Sequence, residues 1–184
     1  MTTPQHRNPT AVKISLPRYS ASATYRLLWE RAPKTCAAIC AALPMNTTAF
    51  HGRNSGDEAL LVTPSVLLGV PQDESENATK EHTMNHLYFG LEEAGKSYGG
   101  CAPGSSASEI CWFYGPAGLA QYFVSVNGPP HDTPPFVRET ANLNEFASLL
   151  EEDGFYDSCP KLQRGGETEV VVEAVFDDEE EGRS

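Results

Sequence analysis

The sequence predicts a mainly β fold, a closed eight-stranded barrel with two capping α-helices. Three observations lead there. Short segments in which apolar and polar residues alternate recur along the chain, which is the period of a half-buried strand. The 184 residues include 15 Gly and 14 Pro, which punctuate the chain into short elements rather than long helices. Two segments carry apolar residues at helical spacing, but no strand–helix–strand rhythm runs through the chain, so the sheet is expected to be antiparallel. An antiparallel sheet exposes two edges unless it closes, and a closed barrel has open ends that helices can plug.

In chain order, Val12, Ile14 and Leu16 alternate with Lys13 and Ser15 as a first strand, and Pro17 ends it. Thr24 to Trp29 is a second, with Tyr25, Leu27 and Trp29 on one face. Pro33 to Leu43 is the first helix. Its proline presets φ at the start, and Ala32, Cys36, Ile39, Cys40 and Leu43 form its apolar stripe. Ala49 to His51 is a short extended piece, followed by a turn at Asn54–Asp57 and a strand from Glu58 to Val62. The polar stretch 71–85 is a long excursion. His86 to Leu91 returns to strand character, and Glu109 to Tyr114 with Gln121 to Val126 forms a hairpin. The second helix is expected to start at Asn142, with Glu145 completing a capping box, Phe146, Leu149 and Leu150 as its stripe, and Gly154 as its stop. Thr168 to Phe176 closes the sheet. Residues 1–10 read as a disordered lead, 11–176 as one domain, and 177–184 as an acidic, disordered tail.

Composition excludes several function classes. With 13 basic and 25 acidic residues the net charge is −12, which repels a phosphate backbone, and no local basic patch offsets it. No nucleic acid is therefore expected. No segment reaches the run of about 18 apolar residues that a spanning helix needs, and residues 1–9 are polar rather than signal-like. The chain is thus expected in the cytoplasm, away from membranes. Five cysteines, an odd number at irregular spacing, make no disulfide framework.

The best polar cluster is His51, Arg53 and Asn54, where a barrel strand meets a turn. An arginine can grip a carboxylate with two parallel bonds, and a histidine can serve as acid or base near neutral pH. The plainer account is a turn held by Asn54 beside a solvated arginine. Trp112 and Tyr114 share one strand face, with Tyr88 on a neighbouring strand. Such aromatics wall a ligand or simply fill a core. His82 and His86 are four apart, but the flanking residues read as loop and strand and no acid completes a metal set, so no metal is expected. Cys36 and Cys40 read as small core residues, while Cys159 falls in an expected loop. The glycine-rich stretch 99–105 lacks a phosphate-binding pattern, and no GxSxG elbow is present. No cofactor is expected.

The segment Glu30-Arg31-Ala32-Pro33-Lys34-Thr35-Cys36-Ala37-Ala38-Ile39 resembles the strand-to-helix junction of cyclophilins. Over residues 12–176 the chain is more similar to a bacterial family of uncharacterised cyclophilin-like proteins. Leu43-Pro44 matches the end of that family's first helix, His51-Gly52-Arg53-Asn54-Ser55-Gly56-Asp57-Glu58 its strand and turn, Trp112-Phe113-Tyr114-Gly115 its aromatic strand, and Glu145-Phe146-Ala147 its later helix. The resemblance implies a barrel. It does not carry prolyl isomerase chemistry across. Phe50-His51-Gly52-Arg53 echoes the start of that motif, but the following Phe and Gln have no counterpart in residues 54–58, and fold alone does not assign function.

Three readings of function stand. In the first, the barrel binds a small polar or anionic ligand or a peptide in a surface pocket, with His51, Arg53 and Asn54 as hydrogen-bonding groups and Tyr88, Trp112 and Tyr114 as walls. In the second it is an enzyme, a residual isomerase or a small-molecule lyase or hydrolase with His51 as base. In the third it is an oligomeric accessory protein, a homo-oligomer with aromatic strands buried between subunits.

Overall fold

A computed structural model describes residues 7–51, 57–63, 77, 84–90, 108–115 and 143–177. Within them lie β1 (Ala11–Leu16), a 3-10 turn (Pro17–Tyr19), β2 (Ala21–Leu27), α1 (Pro33–Ala41), β3 (Met45–His51), β4 (Glu58–Thr63), β5 (His86–Gly90), β6 (Ser108–Phe113), β7 (Leu143–Asp153), α2 (Phe155–Gly165) and β8 (Thr168–Val175). The eight strands close into a barrel in the order β1-β2-β7-β5-β6-β4-β3-β8. Every neighbouring pair is antiparallel.

The alternation seen in the sequence sets the inward face. Ile14 and Leu16 on β1, Tyr25 and Leu27 on β2, Ala59 and Leu61 on β4, Leu87 and Phe89 on β5, Ile110 and Trp112 on β6, and Val170 and Val172 on β8 belong to one buried core. β2 and β7 run antiparallel, so α1, which follows β2, and α2, which follows β7, sit at opposite ends. Ala32, Cys36 and Ile39 join the core from the first end, and Phe155, Cys159 and Leu162 from the second. A second cluster lies outside the barrel wall, where Leu60, Tyr88, Cys111 and Phe113 are buried against Phe50. These residues alternate with the inward ones on β4, β5 and β6, so this part of the sheet is apolar on both faces.

The second helix does not form where the spacing places it. Residues 143–153 are β7, an eleven-residue strand, and the helix follows at Phe155–Gly165. Gly154 is the residue before that helix, at φ +62°, rather than a stop for a preceding one. The cause lies in the register. Tyr25 pairs with Leu149 but Thr24 with Glu151, so Leu150 is an extra residue. Leu87 pairs with Ala147 but Tyr88 with Glu145, so Phe146 is another. Two bulges four residues apart break the period-2 pattern, and Phe146, Leu149 and Leu150 then imitate a helical stripe. Pairing to β2 on one edge and β5 on the other outweighs that local preference.

Smaller differences follow the same logic. β3 begins at Met45 rather than Ala49, and β2 ends at Leu27, before Trp29. The Trp29 indole instead donates to the Pro9 carbonyl at 2.8 Å, and Thr10 N–H bonds the Val175 carbonyl at 2.9 Å. Cys159, expected in a loop, is fully buried on α2. The expected strand 121–126, the cap at Asn142, and residues 1–6 and 178–184 lie outside the described residues. No helix among the described residues is long and apolar enough to cross a membrane.

Candidate functional site at the barrel rim

The α2 end of the barrel gathers three of the residues singled out from the sequence. His51 is the last residue of β3 and pairs with Ala59, which pairs in turn with Trp112 on β6. His51 and Trp112 therefore share the inward face, and Tyr114 follows two residues after Trp112. The Tyr114 hydroxyl and His51 Nε2 lie 2.5 Å apart in a hydrogen bond that bridges over β4, with the rings tilted and their centroids 5.6 Å apart. Burial, with Asp57 and Cys159 adding to it, pushes the Tyr114 hydroxyl up to about 12. It therefore keeps its proton at neutral pH. The phenol donates to Nε2 or accepts from it according to which imidazole nitrogen carries the proton.

Asp57 completes the rim. Its carbonyl accepts from Tyr114 N–H at 2.9 Å, and its carboxyl lies against the Cα of Gly115. A β-carbon on Gly115 would fall 2.3 Å from Asp57 Oδ2, so glycine is what lets the two segments meet. Beneath the rim, Trp112 is entirely buried and donates its indole N–H to Cys159 Sγ at 3.0 Å. Its ring lies 5.5 Å from that of Phe155. Burial raises the Cys159 thiol to about 12, although the Trp112 bond works the other way. This cysteine is a packed core group, not a nucleophile. Nearby, Tyr25 donates to Tyr156, 3.0 Å away, which donates to the Met84 carbonyl.

The other expected site residues divide. Tyr88 does not reach the rim: it faces outward in the second cluster, 5.7 Å from the Phe113 ring. Arg53 and Asn54 lie outside the described residues, as does His82. Trp112 is core beneath the rim rather than an open wall.

A second polar group, on the outer wall of β5 and β7, escaped the sequence reading. Glu145 pairs with Tyr88 across the sheet, and its carboxylate is nearly buried, at 8% exposure. One oxygen accepts from His86 Nδ1. The other lies 3.7 Å from Arg31, which reaches over from the turn before α1. Asn77 pins the arrangement: its Oδ1 accepts from Arg31 at 3.1 Å, and its Nδ2 donates to the Glu145 carbonyl at 2.9 Å. The acid missing beside His86 was present in the sequence but assigned to a helix cap. Only the pairing of β5 with β7 brings the two together. Among the described residues no group of three or more His, Cys, Asp and Glu side chains could hold a metal.

The comparisons with known proteins fit this architecture. The family described as "Protein of unknown function (DUF3830)" matches residues 14–125, more than half of the chain. The chain belongs to the DUF3830 family. The solution structure of the hypothetical protein AF2241 from Archaeoglobus fulgidus is 20% identical, aligns over 94% of this chain and 100% of its own, and has a TM-score of 0.50. McbB, solved in complex with tryptophan, is 15% identical with a TM-score of 0.51. The match covers 94% of this chain but 46% of McbB. At such identities the likeness is one of fold. A search of curated proteins found no match.

Proposed function

We propose that this DUF3830 protein is a ligand-binding barrel of cyclophilin-like build, which takes a small polar or anionic molecule or a peptide at the end capped by α2. The observation that carries this reading is the hydrogen bond between His51 and Tyr114. It holds two polar side chains at the mouth of a barrel whose interior is mainly apolar, and barrel mouths are a recurrent location for ligand sites. Trp112 lies directly behind the pair. Arg53 and Asn54 follow His51 within three positions in the sequence and supply donors of the kind an anion needs.

A thermal-shift screen of the full chain tests this, with amino acids including tryptophan, other small carboxylates, and proline peptides as probes. A compound that binds the native state raises the melting temperature. The rise should shrink in Arg53→Ala and Tyr114→Phe. A probe that stabilises all three proteins equally removes the rim as its site.

A further inference from the structure

We propose that His86, Glu145 and Arg31 form a separate acid–base site on the outer wall, built for a small carboxylate-bearing molecule. The proposal is independent of the rim, which lies on the inward face. It rests on how one carboxyl group holds its two partners. Glu145 Oε1 takes His86 Nδ1, and Oε2 faces Arg31, so imidazole and guanidinium are held side by side by the two oxygens of a single, nearly buried carboxylate. Asn77 ties Arg31 to the Glu145 backbone, accepting from the guanidinium and bonding both the carbonyl and the N–H of Glu145.

A purely structural ion pair would use up its partners. Among the described residues neither is used up. The imidazole side chain is 30% exposed, and among the described residues its Nε2 makes no hydrogen bond. Arg31 is 57% exposed, and among those residues it engages Glu145 and Asn77 through Nη2 alone, with no hydrogen bond from Nη1 or Nε. A carboxylate that accepts Nδ1–H leaves the lone pair on Nε2, which is how an acid behind a histidine fixes it as a base. The open edge of the guanidinium beside it matches the two oxygens of a carboxylate. Arg31 would hold the molecule's carboxylate. His86 Nε2 would take a proton from its neighbouring group, giving an imidazolium whose charge Glu145 balances and a conjugate base on the bound molecule.

Nitrogen NMR of the imidazole in the full chain reads the first half of this. The expected result, read at a pH where the ring is neutral, is a proton on Nδ1 with Nε2 bare; a neutral ring protonated at Nε2 overturns the proposal. Acetate titration followed on the His86 resonances reads the second half, with inorganic phosphate as the comparison. Acetate should shift these resonances in the parent and in Tyr114→Phe, with at least fivefold weaker binding in Arg31→Gln, about 1 kcal/mol by the affinity scale. Equal acetate binding in Arg31→Gln, or a response to phosphate but not to acetate, overturns it. Reactivity supplies an independent readout. Diethyl pyrocarbonate should modify His86 at Nε2 in the parent, and more slowly in Glu145→Gln, which loses the charge that balances the imidazolium formed on attack. An unchanged rate in a folded Glu145→Gln protein counts against the site.

Discussion

The rim and the outer wall each hold a histidine in a hydrogen bond, yet they are built in opposite ways. At the rim, His51 meets the Tyr114 hydroxyl, whose proton stays on until about pH 12. Its parts face inward over an apolar core, and the nearby Cys159 thiol is held neutral by burial. On the wall, His86 meets the carboxylate of Glu145, with the Arg31 guanidinium beside it. Its parts face outward, and His86 and Arg31 remain partly exposed. The difference shows where this barrel tolerates charge. Inside, desolvation holds the Tyr114 phenol and the Cys159 thiol in their protonated forms. Outside, a carboxylate is accepted because the His86 imidazole bonds one oxygen and the Arg31 guanidinium lies 3.7 Å from the other.

The largest effects should come from the support beneath the rim. Trp112→Ala would empty the space against Phe155 and remove the indole bond to Cys159. It should destabilise by about 3–5 kcal/mol, measured by urea denaturation. A loss well under that would mean α2 does not depend on this contact. Next, Gly115→Ala forces the Asp57 carboxyl to move and should lose about 1–3 kcal/mol as an overpacked site. A neutral result would show that Asp57 is not held at the rim.

The core also offers a case in the opposite direction. Asn144 is fully buried on β7 opposite Phe89, and among the described residues neither amide atom has a partner. Leucine has nearly the same shape without polar atoms, so Asn144→Leu should raise stability by about 1–3 kcal/mol. A lower melting temperature would instead show that the amide is engaged in solution. Smaller still, Tyr114→Phe removes one hydrogen bond and should lose about 1 kcal/mol, with the wall unaffected because the two groups face opposite sides of the sheet.

The inward groups also set an alkaline limit. Burial raises Cys40 to about 11 and Tyr114, Tyr156 and Cys159 to about 12, from ordinary values of 9.0 for thiols and 10.0 for phenols. The unfolded chain loses these protons first. The stability they contribute is complete below pH about 9 and is lost progressively as pH rises to about 12. Melts in reducing buffer between pH 7 and 11 should show a falling midpoint above pH 9. Cys159→Ala should weaken the fall, and a flat profile would show that these groups are solvated when folded.

Much of this architecture was legible locally. β1, α1, β4, β5, β6 and β8 appear within a few residues of their expected places, because alternation, a starting proline and flanking turns act through neighbours in the chain. The rim was partly legible for the same reason: His51 ends β3 and Tyr114 directly follows β6, each beside turn residues in the sequence. Tyr88 was misassigned because its aromatic character says nothing about which face of the sheet it takes, and register alone decides that.

What the residues dictate without their tertiary neighbours is a set of short strands, one well-marked helix, an acidic chain and a core of alternating apolar side chains. The fate of 143–153 was beyond such reasoning. Its bulges exist only against the registers of β2 and β5, and without those partners Phe146, Leu149 and Leu150 keep helical spacing. The same pairing carries Glu145 from a presumed helix cap to the side of His86, 59 positions earlier in the chain. The physical reason is common to both. A strand's hydrogen bonds are made to another segment, so its conformation, its bulges and the chemistry on its faces are set by contacts remote in sequence.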